Sequence, residues 1–104
     1  MRVFIDECVP AQLRRHLKQD CATAKKMGLA GLKNGPLLSQ VEAAFGIFLT
    51  ADQNFCHQQH LLGRKLAVLV LSTNDRDRVL AASQLIADAL VTLQPGEIRE
   101  LEIP

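Results

Sequence analysis

The 104 residues are enough for one small domain, residues 1–104, and too few for two. The chain is 48% hydrophobic and 22% charged, an ordinary globular balance, and its formal net charge of +1 excludes a global field that draws in nucleic acid. No apolar stretch is long enough to span a bilayer, which argues against a membrane partner.

Near the amino terminus, Arg2 to Ile5 reads as a short buried strand, and the acids Asp6-Glu7 behind it interrupt any signal-peptide core. The expected localisation is therefore cytoplasmic. Pro10 suits the first turn of a helix because its missing N–H costs nothing there, and Leu13 and Leu17 share one face of that helix. Cys21 to Lys25 reads as a weak second strand, and Met27 to Gly35, with its glycines, as a loop. Asn34-Gly35-Pro36 punctuates the chain. Leu37, Leu38, Val41 and Ala44-Phe45 then recur at helical spacing, which predicts a helix from Pro36 to Phe45 capped by Gly46.

Ile47 to Thr50 is the third predicted strand, and Asn54 to about Leu62 a polar helix ending near Gly63. Leu66 to Leu71 is a continuous apolar run of the length of a fully buried parallel strand. Ser72 to Asp75 reads as loop and cap, and Arg76 to about Leu93 as one long helix. Pro95-Gly96 turns the chain into a last strand at an edge, marked by Ile98, Leu101 and Ile103. This alternation predicts an α/β fold: a three-layer α/β/α sandwich with a mainly parallel sheet in the order 2-1-3-4.

In that order the switch point lies between strands one and three, where open α/β sheets place their ligands. Asp6 follows the first of these strands and Asp52 the second, so both acids are expected to converge there. Two carboxylates at one edge call for a neutralising partner, and a hard divalent cation suits oxygen ligands. If they converge without metal they should repel, so Asp6→Asn is expected to leave folding intact or improve it. The plainer readings stand beside this one. Asp6 and Glu7 serve equally as turn or cap acids ahead of the Pro10 helix. Asp52 serves as an Asx turn or N-cap.

Asn34, Glu42 and Thr50 are further candidates. Asn34 sits in a loop able to fold over the same edge, or is a left-handed turn residue. Glu42 lies on the second helix, where a solvent-facing role is as plausible. Thr50 orients an acid through its hydroxyl or satisfies a strand end. Gln59, between Gln58 and His60, falls on a polar helix face near the cleft. Cys56, His57 and His60 fall short of the four ligands of a structural zinc. The cysteines Cys8, Cys21 and Cys56 have no metal-type spacing and read as reduced thiols; Cys8 and Cys56 lack a base partner for nucleophilic work. The basic groups Arg14-Arg15, Lys18, Lys25-Lys26, Lys33 and Arg64-Lys65 are scattered, and without Trp or Tyr an aromatic platform for stacked bases is not expected. Receiver-like or phosphate-handling chemistry is disfavoured, because no phosphate-cradling glycine motif follows the first strand.

Three stretches resemble the PIN-like domain superfamily: Val3-Phe4-Ile5-Asp6-Glu7-Cys8-Val9-Pro10, Gly31-Leu32-Lys33-Asn34-Gly35 and Phe48-Leu49-Thr50-Ala51-Asp52-Gln53-Asn54-Phe55. The likeness is to small single-domain bacterial members related to VapC-type toxins, and it runs from residue 3 through Leu71. It implies a Mg²⁺- or Mn²⁺-dependent endoribonuclease, the toxin component of a toxin–antitoxin pair. Its implied partners are an RNA substrate and a small DNA-binding antitoxin protein, with a homodimer left open. On that pattern Asp6 and Asp52 are the catalytic metal ligands, with Asn54 at a second-acid position and Glu7 in support. Lys33 is implied as a backbone contact, and Glu42 as a match to the helix acid of larger members. Asn34 and Asn54 stand where small relatives often carry Asp, which lowers the formal charge available to hold a cation. That departure keeps open the alternative of a catalytically weak or inactive PIN-like module that binds an antitoxin protein or RNA.

Overall fold

The structure is a computed structural model and describes residues 2–24, 28, 34–53 and 64–104. Five parallel strands form its centre: β1 (Val3–Ile5), β2 (Cys21–Thr23), β3 (Ile47–Thr50), β4 (Ala67–Leu71) and β5 (Ile98–Leu101), in the order β2-β1-β3-β4-β5. The predicted 2-1-3-4 order is present, and β5 extends it as a further parallel strand at the edge. β1 pairs with β3 in the register Val3↔Ile47, Phe4↔Phe48 and Ile5↔Leu49.

The central strands are buried on both faces, as a parallel sheet covered by crossover helices requires. Their alternation sends Val3, Ile5, Ile47, Leu49, Leu69 and Leu71 to one face. There they meet a 3₁₀ helix (Ala11–His16), α2 (Arg76–Ala81) and α3 (Ser83–Thr92) through Leu13, Val79, Ile86 and Leu90. Phe4, Phe48, Val68 and Val70 point to the other face, onto Leu37, Leu38 and Val41 of α1 (Asn34–Ala44). Phe4 stacks on Phe48 with ring centroids 5.7 Å apart and meets Phe45 edge-on at 5.5 Å. The result is the three-layer α/β/α sandwich expected from the pattern.

Four details differ from the sequence reading. The segment after Pro10 is a 3₁₀ turn rather than an α-helix, although Leu13 and Leu17 are both buried in one core as their spacing requires. The helix expected from Pro36 begins at Asn34, so Asn34 belongs to the first turn rather than to a loop. The single helix expected from Arg76 to Leu93 is two, broken at Ala82, whose backbone leaves helical values at φ −95° and ψ 15°. The break lets Val79 before it and Ile86, Ala89 and Leu90 after it reach the same core. The second strand ends at Thr23 rather than Lys25. The polar helix expected over Asn54 to Leu62 lies outside the described residues.

Gly96 has φ +78°, and an added Cβ there would stand 3.3 Å from the Arg64 carbonyl oxygen, so a glycine suits this turn on both counts. The carboxy terminus is tied back by Arg78, which donates to the carbonyls of Ile103 at 2.8 Å and Pro104 at 3.0 Å. Among the described residues, no helix is long and apolar enough to cross a membrane.

Candidate functional site

Where β1 and β3 run out side by side, the Asp6 amide donates to the Leu49 carbonyl at 2.9 Å. That bond carries the parallel register one residue past the strands and sets Asp6 beside Thr50. Both side chains are buried, Asp6 at 7% exposure and Thr50 at 0%. A buried carboxylate needs hydrogen-bond donors, and Asp6 has them. The Thr50 hydroxyl donates to Oδ2 at 2.8 Å, and the Glu7 amide donates to Oδ1 at 2.9 Å. Cys8 Sγ donates to Oδ2 at 3.5 Å and lies the same distance from Thr50 Oγ1. Thr50 Oγ1 in turn accepts from the Asp52 amide at 3.1 Å, and Cys8 Sγ accepts from the Ala51 amide at 3.4 Å. The turn after β1 and the turn after β3 are thereby laced together around one carboxylate. Burial pushes the Cys8 thiol above its ordinary value of 9.0, with the bonds from Thr50 and Ala51 working against that shift and the nearby Asp6 charge adding to it.

The sequence-predicted residues divide into those this edge gathers and those it does not. Asp6, Thr50 and Asp52 share one hydrogen-bonded network across the switch point, and Asp52 is half-buried. Glu7 is exposed beside them. Glu42 is elsewhere: it sits near the carboxyl end of α1, the end that leads into the amino end of β3. Its Oε1 accepts from Arg64 Nη1 at 3.1 Å, just ahead of β4. The opposite ends of the strands therefore separate Glu42 from Asp6. Asn34 is the first residue of α1, with only its backbone described. Lys33, Asn54 and Gln59 lie outside the described residues.

Two features have roles that the sequence reading did not assign. Cys8 is a structural partner of Asp6, and its only sequence signal is a position two residues after the acid, within the turn closed by Val9 N donating to the Asp6 carbonyl at 3.0 Å. Arg76 and Asn74 join Asp6, Glu7 and Gln12 around a cavity of about 690 Å³ beside Asp6. These residues come from distant parts of the chain, so no local pattern announces the cavity.

The donor set fits a hard cation only sparingly. A carboxylate offers about four lone-pair positions, and three donors already engage Asp6. Among the described residues one position on Oδ1 is left unengaged, and the Asp52 amide belongs to the same network. A Mg²⁺ ion is commonly held by one or two carboxylates, its remaining positions being filled by water and substrate phosphate. No group of three or more His, Cys, Asp or Glu side chains able to hold a metal is present among the described residues. Comparison with protein-family models, with curated proteins and with solved structures finds no match for this chain.

Proposed function

We propose that this chain is a PIN-like, Mg²⁺- or Mn²⁺-dependent endoribonuclease and the toxin component of a toxin–antitoxin pair. The observation that carries the reading is Asp6 held at the switch point by Thr50, with the Asp52 turn bonded to the same hydroxyl. A buried carboxylate fixed by three donors at the ligand edge of a parallel sheet is a preorganised anionic anchor. The resemblance of the strand-end motifs to PIN-like domains supports the same conclusion. Asp6 and Asp52 are the residues that would hold the ion, which when bound supplies charge neutralisation at the phosphodiester and a more acidic water. Thr50 and the Glu7 amide keep Asp6 aimed, and Cys8 meets the same carboxylate. An RNA strand is the proposed substrate and a small DNA-binding protein the proposed antitoxin; pairing with a second copy of the chain and a cytoplasmic location belong to the same proposal.

The test is cleavage of a mixed-sequence RNA by the isolated chain across a wide range of Mg²⁺ and Mn²⁺, with chelator as control. Asp6→Asn and Asp52→Asn are each expected to lower the rate by about a hundredfold or more. Absence of cleavage at every metal concentration would sink the reading. One observation favours a second reading: Asp6 is already engaged by internal donors, as a bracing residue would be. A module that retains RNA or an antitoxin without cutting would satisfy that geometry, and RNA retention without cleavage in the same assay selects it.

A further inference from the structure

The cavity beside Asp6 is built from four places in the fold. The turn after β1 supplies Asp6, Glu7 and Val9, the 3₁₀ helix supplies Ala11 and Gln12, and the end of β2 supplies Thr23 and Ala24. Asn74 and Arg76 reach it from the connection into α2, which packs against the 3₁₀ helix. At about 690 Å³ it lies within the ordinary size of small-ligand sites. Its lining combines several chemistries. Val9, Pro10, Ala11 and Ala24 give apolar wall, Gln12, Thr23 and Asn74 give amide and hydroxyl groups, Arg76 gives a cation, and Asp6 with Glu7 gives anions. Arg76 is exposed, and its contact with Asp77 is a loose 3.6 Å pair in which both side chains are largely in water.

We infer that this cavity is a ribonucleotide subsite, holding the nucleotide that adjoins the phosphate presented to Asp6 and Asp52. The inference rests on the ribonuclease reading and adds a substrate contact to it. A ribonucleotide offers a partner for each of these groups. Its phosphate pairs with the Arg76 guanidinium, which is suited to forked contacts with phosphate oxygens. Its ribose hydroxyls donate to Glu7, an arrangement acids adopt toward ribose elsewhere. Its base lies on the aliphatic wall with its polar edge toward Gln12, Thr23 and Asn74. With no aromatic ring among the described lining residues, amide and hydroxyl contacts rather than stacking discriminate between bases. The cavity reaches from the end of β2 to the start of α2 beside Asp6, and Asp52 follows β3, so a strand lying along the carboxyl edge places one nucleotide in the cavity and the next phosphate at the acids.

The experiment is calorimetric titration of the intact chain with the four ribonucleoside monophosphates, the matching 2′-deoxynucleotides and the uncharged nucleosides, with and without Mg²⁺. At least one ribonucleotide is expected to bind, with its deoxy counterpart weaker. Arg76→Gln should weaken the monophosphate about tenfold or more while leaving the nucleoside unchanged. Ala11→Trp, at an exposed position on the cavity wall, should block both, with circular dichroism confirming its fold. RNA cleavage by wild type without mononucleotide binding, or binding indifferent to both substitutions, overturns the subsite and leaves the ribonuclease reading intact. Mononucleotide binding lost on both substitutions, in a chain that cuts no RNA, keeps the subsite and removes the ribonuclease reading.

Discussion

At Thr50 a single hydroxyl serves two neighbours, donating to Asp6 Oδ2 at 2.8 Å and accepting from the Asp52 amide at 3.1 Å. Thr50→Val keeps the shape and removes both bonds, leaving a buried carboxylate short of a donor. The expected cost is about 1–3 kcal/mol, read as a lower urea midpoint at neutral pH with an unchanged slope. An unaltered midpoint would show that the hydroxyl braces nothing. The same geometry argues against the expectation that Asp6→Asn is harmless: an amide nitrogen in place of one oxygen would face the donors on Asp6. Cys8 adds a pH dependence of definite sign. Its thiol titrates higher in the folded state than in the unfolded chain, so its contribution is complete below the unfolded value and is lost as pH rises through the folded one. Thermal stability should therefore decline from about pH 9 upward, and Cys8→Ala should flatten part of that decline. Cys21, also raised, first by burial and then by Asp20, contributes in the same sense. A wild-type profile that stays level through alkaline pH would refute the assignment.

At the scale of elements, the approach to α2 illustrates how a loop sequence becomes a helix start. The Asp75 carboxylate accepts from the Arg78 amide at 3.0 Å, and the Thr73 hydroxyl accepts from the Asp75 amide at 3.2 Å. The sequence showed Ser72-Thr73-Asn74-Asp75 as loop and cap, without assigning either role to a residue. Because α2 is a six-residue helix, its cap matters more than one on a long helix would. Asp75→Ala is expected to cost about 1 kcal/mol and to speed amide exchange in α2 ahead of α3, whereas Asp75→Asn should retain most of the stability. Uniform exchange across both helices would mean that they behave as the single unit the periodicity suggested. The break at Ala82 had no sequence signal. Alanine is the best helix former, and what bends the chain there is the demand that residues on both sides of the break reach one curved sheet face.

For the molecule as a whole, the parallel sheet separates two cores and two edges. One core is aliphatic and lies under the 3₁₀ helix, α2 and α3; the other contains Phe4, Phe45 and Phe48 and lies under α1. The amino edge gathers structural contacts: Gly46 and Ile47 donate to the Arg2 carbonyl, Arg2 lies 4.5 Å over the Phe45 ring, and Arg64 pairs with Glu42. The carboxyl edge gathers the Asp6 network and the cavity beside it. Helices that run back from the carboxyl edge of one strand to the amino edge of the next impose this division, because side chains late in a crossover helix lie far from the strand ends that precede it.

Strand positions, their parallel order and the placement of Asp6 and Asp52 at one switch point were determined by the sequence alone. They follow from local quantities: apolar runs too short for helices, helical spacing between them, and acids one or two residues beyond a strand end. Tertiary structure alone decided what those acids touch. The bond from Thr50 to Asp6 spans 44 positions in the chain and depends on the register of β1 against β3. The cavity wall draws on residues as far apart as Glu7 and Arg76. Glu42 was matched to a helix acid through the resemblance and read equally as a plain helix residue; its ion pair with Arg64 at the amino edge was not legible, since helical periodicity reports which face a residue takes and not which end of the crossover it occupies. Periodicity encodes burial along the chain, whereas hydrogen-bond partners and cavities arise from the packing of segments whose separation in sequence carries no record of their contact.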